Sequence, residues 1–278
     1  MIESPRELKL ELRSGLVRGW RFGPDDGDLV VCVHGLSANA RSFDLIAGAL
    51  GAAGHAVVAI DLRGRGWSSI TGLGSYGWGN HARDVQEVAT QLGRQQFGYI
   101  GHSMGAFIGM ELARQAGGRL SRVGLIDALG VPEPASLVPI MAAVQRLGNS
   151  HPSADAYVAR VKSLGTITPW SPVWETHYRY DLIEVDGGVR PRTDRGAVLE
   201  DMTYGSTQFP RLLWPAMKMP TLVVRAAVPL GAGFIISPSD YNDFLATTPS
   251  ARGVNVNANH YGIMTSPEAV DALTGFFR

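Results

Sequence analysis

The chain of 278 residues contains one cysteine, Cys32. That excludes an internal disulfide framework and a cysteine-rich metal site, and its place in the apolar run 29–33 assigns it to the core. Lysine is scarce, at positions 9, 162 and 218 only. Neither sign of charge is in excess, since 25 Lys plus Arg face 25 Asp plus Glu. Without a net field, neither nucleic acid nor an anionic membrane is concentrated at the surface, and the expected partner is small and neutral. Long apolar runs are lacking too. Uncharged stretches such as 68–80 and 226–239 are broken by glycine or proline and fall short of the roughly 18 residues a membrane helix needs. The opening stretch 1–12 is charged from Glu3 onward and has no apolar region of a secretory signal, so a cytoplasmic location is expected. Charged residues make up only 18%, against a usual ~25%. The 45% of hydrophobic residues is nevertheless enough for a sizeable core, which excludes a disordered or fibrous chain.

Glycine and proline are plentiful, at 34 and 16, which implies many tight turns between short elements. Val- and Ile-rich runs at 29–33, 56–60, 97–100, 123–126, 221–224 and 253–256 read as strands. Helix-period segments at 42–53, 81–92 and 104–116 alternate with the early ones, the pattern of a parallel sheet wound by crossovers. Residues 7–12 and 16–22 predict a preceding hairpin. The expected fold is α/β: a mostly parallel eight-stranded sheet with helices on both faces and an inserted helical cap. Eight of the sixteen prolines fall within 132–214, where helical stretches carry no strand signal. The strand pattern resumes at Thr221, so the core domain is expected over 1–131 and 215–278, with 132–214 as a helical cap. An insertion there lies over the carboxyl ends of the strands, where open α/β sheets bind ligands.

Gly101-His102-Ser103-Met104-Gly105 matches G-x-S-x-G, a strand-to-helix turn that exposes a nucleophilic serine and tolerates little beyond glycine two places to either side. The pentapeptide alone is weak. Here it follows the strand at 97–100 and opens a helix whose Gly105, Ala106 and Gly109 permit close packing on the sheet. A serine nucleophile needs a base. Of seven histidines, His260 lies in a loop just after the strand-like 253–256, at the carboxyl edge of the sheet. His55, His81, His151 and His177 read as surface or helix residues, and no metal-ligand spacing joins the seven. His34-Gly35-Leu36 ends the strand at 29–33, which places the backbone N–H of Leu36 opposite that of Met104, a pair able to hold an oxyanion. Asp61-Leu-Arg-Gly-Arg-Gly reads as a structural turn.

Taken together, His34-Gly35, the Asp61 turn, the 101–105 pentapeptide and Asn259-His260 resemble the α/β-hydrolase superfamily in order and separation, over about 30–278. The resemblance implies a serine hydrolase with Ser103 and His260 as catalytic residues and no cofactor or metal. Members often carry the triad acid just after the strand corresponding to 221–224, yet no carboxylate follows here until Asp240. Asp127, closing the strand at 123–126, occupies the position that holds the acid in haloalkane-dehalogenase-like and zearalenone-lactonase-like branches, and is the expected third member. Asp240 is the alternative, although Ser237 and Ser239 before it read as a helix start. The expected reaction is hydrolysis of a carboxylic ester or lactone through an acyl-enzyme. Carbon–carbon bond hydrolysis of a diketone, thioester hydrolysis, cofactor-free perhydrolysis and ligand binding without turnover are the alternatives. Trp170, Trp174, Tyr178 and Tyr180 put four aromatics within eleven residues of the cap, which predicts a bulky, apolar substrate lined by Trp170, Trp174 and Tyr178. Gly72-Leu-Gly74-Ser-Tyr-Gly77 satisfies a dinucleotide fingerprint but does not directly follow a strand, so it reads as a glycine-rich loop.

Overall fold

A computed structural model describes residues 4–278; the first three residues of the opening stretch and of the expected core span lie outside the described residues. The chain opens with a hairpin, β1 (Arg6–Leu12) and β2 (Gly15–Phe22), and continues through β3 (Leu29–Val33), α1 (Asp44–Ala52), β4 (Ala56–Ile60), α2 (Trp78–Gln91), β5 (Phe97–His102), α3 (Met104–Ala116) and β6 (Leu120–Ile126). Next come α4 (Pro134–Gln145), α5 (Ala154–Ser163), α6 (Pro172–Tyr180), β7 (Leu182–Val185), β8 (Gly188–Pro191) and α7 (Arg195–Ser206). β9 (Thr221–Ala226), α8 (Pro238–Thr247), β10 (Ala251–Val256) and α9 (Pro267–Phe277) complete the fold. Eight strands form one sheet in the order β1-β2-β4-β3-β5-β6-β9-β10. β2 pairs antiparallel with β1 and β4, and the remaining pairs are parallel.

All five side chains of β3 are buried, because the sheet is covered on both faces. Their alternation divides them: Val31 and Val33 join the core layer that includes α2 and α3, whereas Val30 and Cys32 join the layer with α1 and α9. This is the period-two consequence of a pleated strand. The order reverses at β3, which has β4 on one side and β5 on the other. Such a switch point opens a crevice beyond the carboxyl ends of the strands, and the loops after β3 and β5 meet there.

The segment between β6 and β9 holds α4–α7 and, against the expectation of an all-helical insertion, the antiparallel hairpin β7–β8. Asp186-Gly187 connects its strands, and Gly187 has φ +83°. Asp-Gly between two short apolar runs is a strong local hairpin signal, here hidden by the density of polar and charged residues in 182–191. The 72–77 loop is not a phosphate cradle. Its amides at Gly74 and Tyr76 donate to the Glu200 carboxylate, and that of Gly77 donates to Asp201 on α7.

Candidate active site

Ser103 begins where β5 ends, with φ 55° and ψ −124°. Besides Asp127, at φ 45°, it is the one non-glycine with positive φ among the described residues. A turn this sharp forces α3 against the sheet. A Cβ on Gly105 would stand 2.1 Å from the Val33 carbonyl oxygen, and one on Gly101 would stand 2.2 Å from that of Gly105. Both positions therefore admit glycine alone, which is the physical content of the G-x-S-x-G spacing.

Register sets Ser103 and Asp127 at one level. The Ser103 N–H donates to the Ile126 carbonyl at 2.9 Å, and the Asp127 N–H donates to the Val224 carbonyl at 2.9 Å. Each residue thus takes the first position beyond its strand while still pinned to the neighbour. The left-handed backbone of Asp127 turns its carboxylate inward: Oδ1 accepts the Ala226 N–H at 3.0 Å and Oδ2 lies 2.8 Å from Nδ1 of His260. The pair is buried, with 1% and 3% exposure. With Nδ1 donating to the carboxylate, Nε2 of His260 is left as the proton acceptor. Asp240 sits elsewhere, at the start of α8, where Ser237 caps its N–H and Arg211 pairs with its carboxylate at 2.6 Å.

Ser103 and His260 border a cavity of about 60 Å³ together with Leu36, Asn39, His102, Trp174, Tyr178 and Tyr261. Gly35 approaches so closely that a Cβ there would lie 3.0 Å from that of Ser103, which brings the Leu36 peptide beside the serine. Met104 follows Ser103 directly and contributes its N–H at the open start of α3. The Leu36 carbonyl accepts from Nε of the buried Arg65 at 3.0 Å, so the orientation of that peptide is fixed from behind. The Leu62 N–H donates to Nε2 of His34, leaving Nδ1 to donate to the Gly35 carbonyl. Burial pushes the His34 pKa down to about 3 and that of His102 well below its ordinary value. These neighbours of Ser103 are neutral supports. His102 donates from Nε2 to the carbonyl of His260 at 2.9 Å, and the two rings lie 4.5 Å apart.

The aromatic stretch divides. Trp174 and Tyr178 line the cavity. Trp170 does not: it stacks on Tyr178 with ring centres 6.0 Å apart, and the Lys162 ammonium lies 5.8 Å from the centre of its ring. Tyr180 donates to Asp61 at 2.8 Å, tying α6 to a turn whose carboxylate also receives the Ala40 and Trp67 amides. The periodicity of α6 explains the split, since 174 and 178 share a face while 180 lies nearly opposite. The cavity also differs from the bulky apolar pocket expected. At about 60 Å³ it is well below the roughly 150 Å³ that accepts benzene, and His177, Asp181, Thr193 and Arg146 contribute to its wall. None of these four carries a local motif. His177, expected to be a surface or helix residue, is on α6 but buried; its pKa is pushed down to about 3 by burial and by Arg146. His81, expected to be a surface or helix residue, is on a helix but fully buried against Asp201.

This fold and this arrangement define a class, and the chain belongs to it: the alpha/beta hydrolase fold family, whose model matches residues 28–180. The serine hydrolase-like protein of Danio rerio is 24% identical over 98% of this chain and 88% of its own length. N-formylmaleamate deformylase of Pseudomonas putida is 34% identical over 38% of this chain. The chain spans well under half the length of several curated relatives it matches, 43% in one and 39% in the deformylase. Among solved structures, E-2-(acetamidomethylene)succinate hydrolase superposes with a TM-score of 0.83 over 99% of both chains at 22% identity, a likeness of fold. No helix among the described residues is long and apolar enough to cross a membrane.

Proposed function

We propose that this hydrolase cleaves a carboxylic ester or lactone through an acyl-enzyme on Ser103. The observation that carries the reading is the buried His260–Asp127 pair, 2.8 Å apart, opening on the cavity that Ser103 also borders. His260 Nε2 takes the hydroxyl proton as Ser103 attacks the carbonyl carbon, and Asp127 holds the Nδ1–H tautomer and stabilises the imidazolium. The carbonyl oxygen gains charge and is met by the N–H groups of Leu36 and Met104. Collapse expels the alcohol with the proton from His260, and a water activated by the same ring releases the acid. Trp174 and Tyr178 seat the apolar portion next to the scissile bond, and the cavity volume favours a compact acyl group.

A fluorophosphonate probe should label Ser103, and an activated ester should give a burst of leaving group equal to the active enzyme. Ser103→Ala should lose labelling and lower kcat by on the order of 10⁶. Full activity in the alanine variant would refute the reading, and binding of an ester without a burst would favour ligand perception over turnover.

A further inference from the structure

The cavity wall contains a cation that has no ion pair among the described residues. Arg146 follows α4 as its C-terminal cap and lines the cavity along with Ile140, Ala143 and Leu147, residues spaced by three and four and so on one face of the helix. Nε and Nη1 of Arg146 are buried without a hydrogen-bond partner. Its Cζ lies 6.0 Å from the ring centre of Tyr157 and 5.7 Å from that of Tyr178. Among the described residues no carboxylate comes within ion-pair distance of it, whereas the buried Arg63 and Arg65 each pair with one at 2.6–2.7 Å, and the buried Arg225, also without an ion pair, donates instead to the Ile236 carbonyl and the Asn255 side-chain oxygen at 3.0 Å.

A guanidinium keeps its proton in any protein environment, so burial cannot be relieved by neutralisation. An unpaired buried charge is costly; Tyr157 and Tyr178 ease it as hydrogen-bond partners, but the neighbouring groups supply no paired negative charge. The flanking phenols of Tyr157 and Tyr178 are held protonated by burial, Tyr261 likewise, and His177 is neutral. His151, whose basicity burial and Arg146 both lower, adds no negative charge. Asp181 shares the cavity, but its Oδ2 accepts the hydroxyl and N–H of Thr193 at 2.6 and 3.3 Å. Burial raises its pKa, and it forms no ion pair with Arg146.

We infer that Arg146 is the anchor for a carboxylate on the substrate, so that the protein hydrolyses an acyl compound bearing a second, free carboxylate next to the reacting carbonyl. This rests on the acyl-enzyme reading. The unpartnered Nε–H and Nη1–H of Arg146 can each donate to a carboxylate oxygen, and a hydrogen bond between two ionised groups is about twice as strong as a neutral one. Tyr157 and Tyr178 wall the cation from solvent, which strengthens the contact, and α4 sets its distance from Ser103.

The test compares p-nitrophenyl monoesters of succinic, glutaric and adipic acids with p-nitrophenyl esters of straight-chain monocarboxylic acids of equal carbon number, after subtracting the uncatalysed rate. At the best length kcat/KM should favour the anionic ester by about tenfold or more. Arg146→Gln should collapse that ratio by about ten- to a hundred-fold, the worth of a charge-assisted hydrogen-bonded pair, while Arg146→Lys retains part of it. Because the ratio is read within each variant, general loss of activity divides out, and fluorophosphonate labelling of Ser103 checks that each variant is folded. Calorimetric binding of monomethyl glutarate to Ser103→Ala, abolished by adding Arg146→Gln, tests the anchor without turnover. A ratio below one at every length, or one unchanged in Arg146→Gln, overturns the anchor even if Ser103 labels normally. Failure of Ser103 labelling with anion binding intact would overturn the acyl-enzyme reading and leave the anchor standing.

Discussion

Among the described residues, two buried histidine–aspartate pairs occur with almost the same geometry: His260 Nδ1 to Asp127 at 2.8 Å and His81 Nε2 to Asp201 at 2.9 Å. What surrounds them differs. The first has a free imidazole nitrogen, a cavity and a serine on a strained turn. In the second, Nδ1 of His81 is buried without a partner, and the carboxylate of Asp201 is shared with Arg65 at 2.7 Å and with the Gly77 amide. Arg65 in turn holds the Leu36 carbonyl. One pair opens on the cavity that Ser103 borders, as the proposed proton transfer requires, and the other joins α7 to α2 and braces the loop beside the serine. A histidine–aspartate distance alone therefore carries no catalytic meaning; access to a reacting group decides it.

Exchanging the carboxylates for amides separates the two roles. Asp127→Asn should lower kcat by about 10⁴ with the fold retained, because an amide at that position favours the wrong tautomer of His260. Steady-state kinetics on a neutral activated ester would read it. Asp201→Asn should act on stability instead, costing about 3–5 kcal/mol in denaturant unfolding because Arg65 loses its buried counter-charge, with less than about tenfold change in kcat. A loss of kcat at Asp201 equal to that at Asp127 would erase the distinction.

The same pair has a pH signature. Burial alone would raise the Asp201 pKa, but His81 and Arg65 outweigh it and bring it down to about 2, below the ~3.9 of an unfolded chain. A carboxylate depressed on folding contributes stability that is full above its unfolded pKa and is lost as pH falls through its folded one. The stability gap between wild type and Asp201→Asn should therefore be constant near neutrality and narrow between about pH 4 and pH 2. A gap that widens on acidification would remove the ion pair as its cause.

The smallest effect is expected at Asp240. Its partner Arg211 is half exposed and its place at the start of α8 is worth ~1 kcal/mol or less, so Asp240→Asn should change kcat by less than about tenfold. A drop as large as that at Asp127 would transfer the acid to Asp240 and dissolve the comparison on which the site rests.

Much of this was legible from residue order alone. The sheet, its antiparallel start and the Ser103 elbow are written in strand-length apolar runs and in glycines at fixed offsets, because those features answer to local sterics and pleat. The hairpin 182–191 is equally local, but Glu184 and Arg190 in its short strands break the apolar run that marks a strand. The aromatic run misled in part: α6 turns Trp174 and Tyr178 inward, whereas Trp170, which precedes the helix, stays outside the cavity.

The sequence by itself determined where the sharp turn at Ser103 lies and which kind of fold carries it, since a strand ending in a glycine-flanked serine has few other ways to fold. Tertiary structure decided which carboxylate meets His260, because Asp127 and His260 are 133 residues apart and only the pairing of β6 with β9 turns that side chain inward. It also decided the charge of the cavity. The chain sums to zero, but a sum has no position, and placing Arg146 in the cavity wall with no ion pair among the described residues creates a local field that composition cannot express.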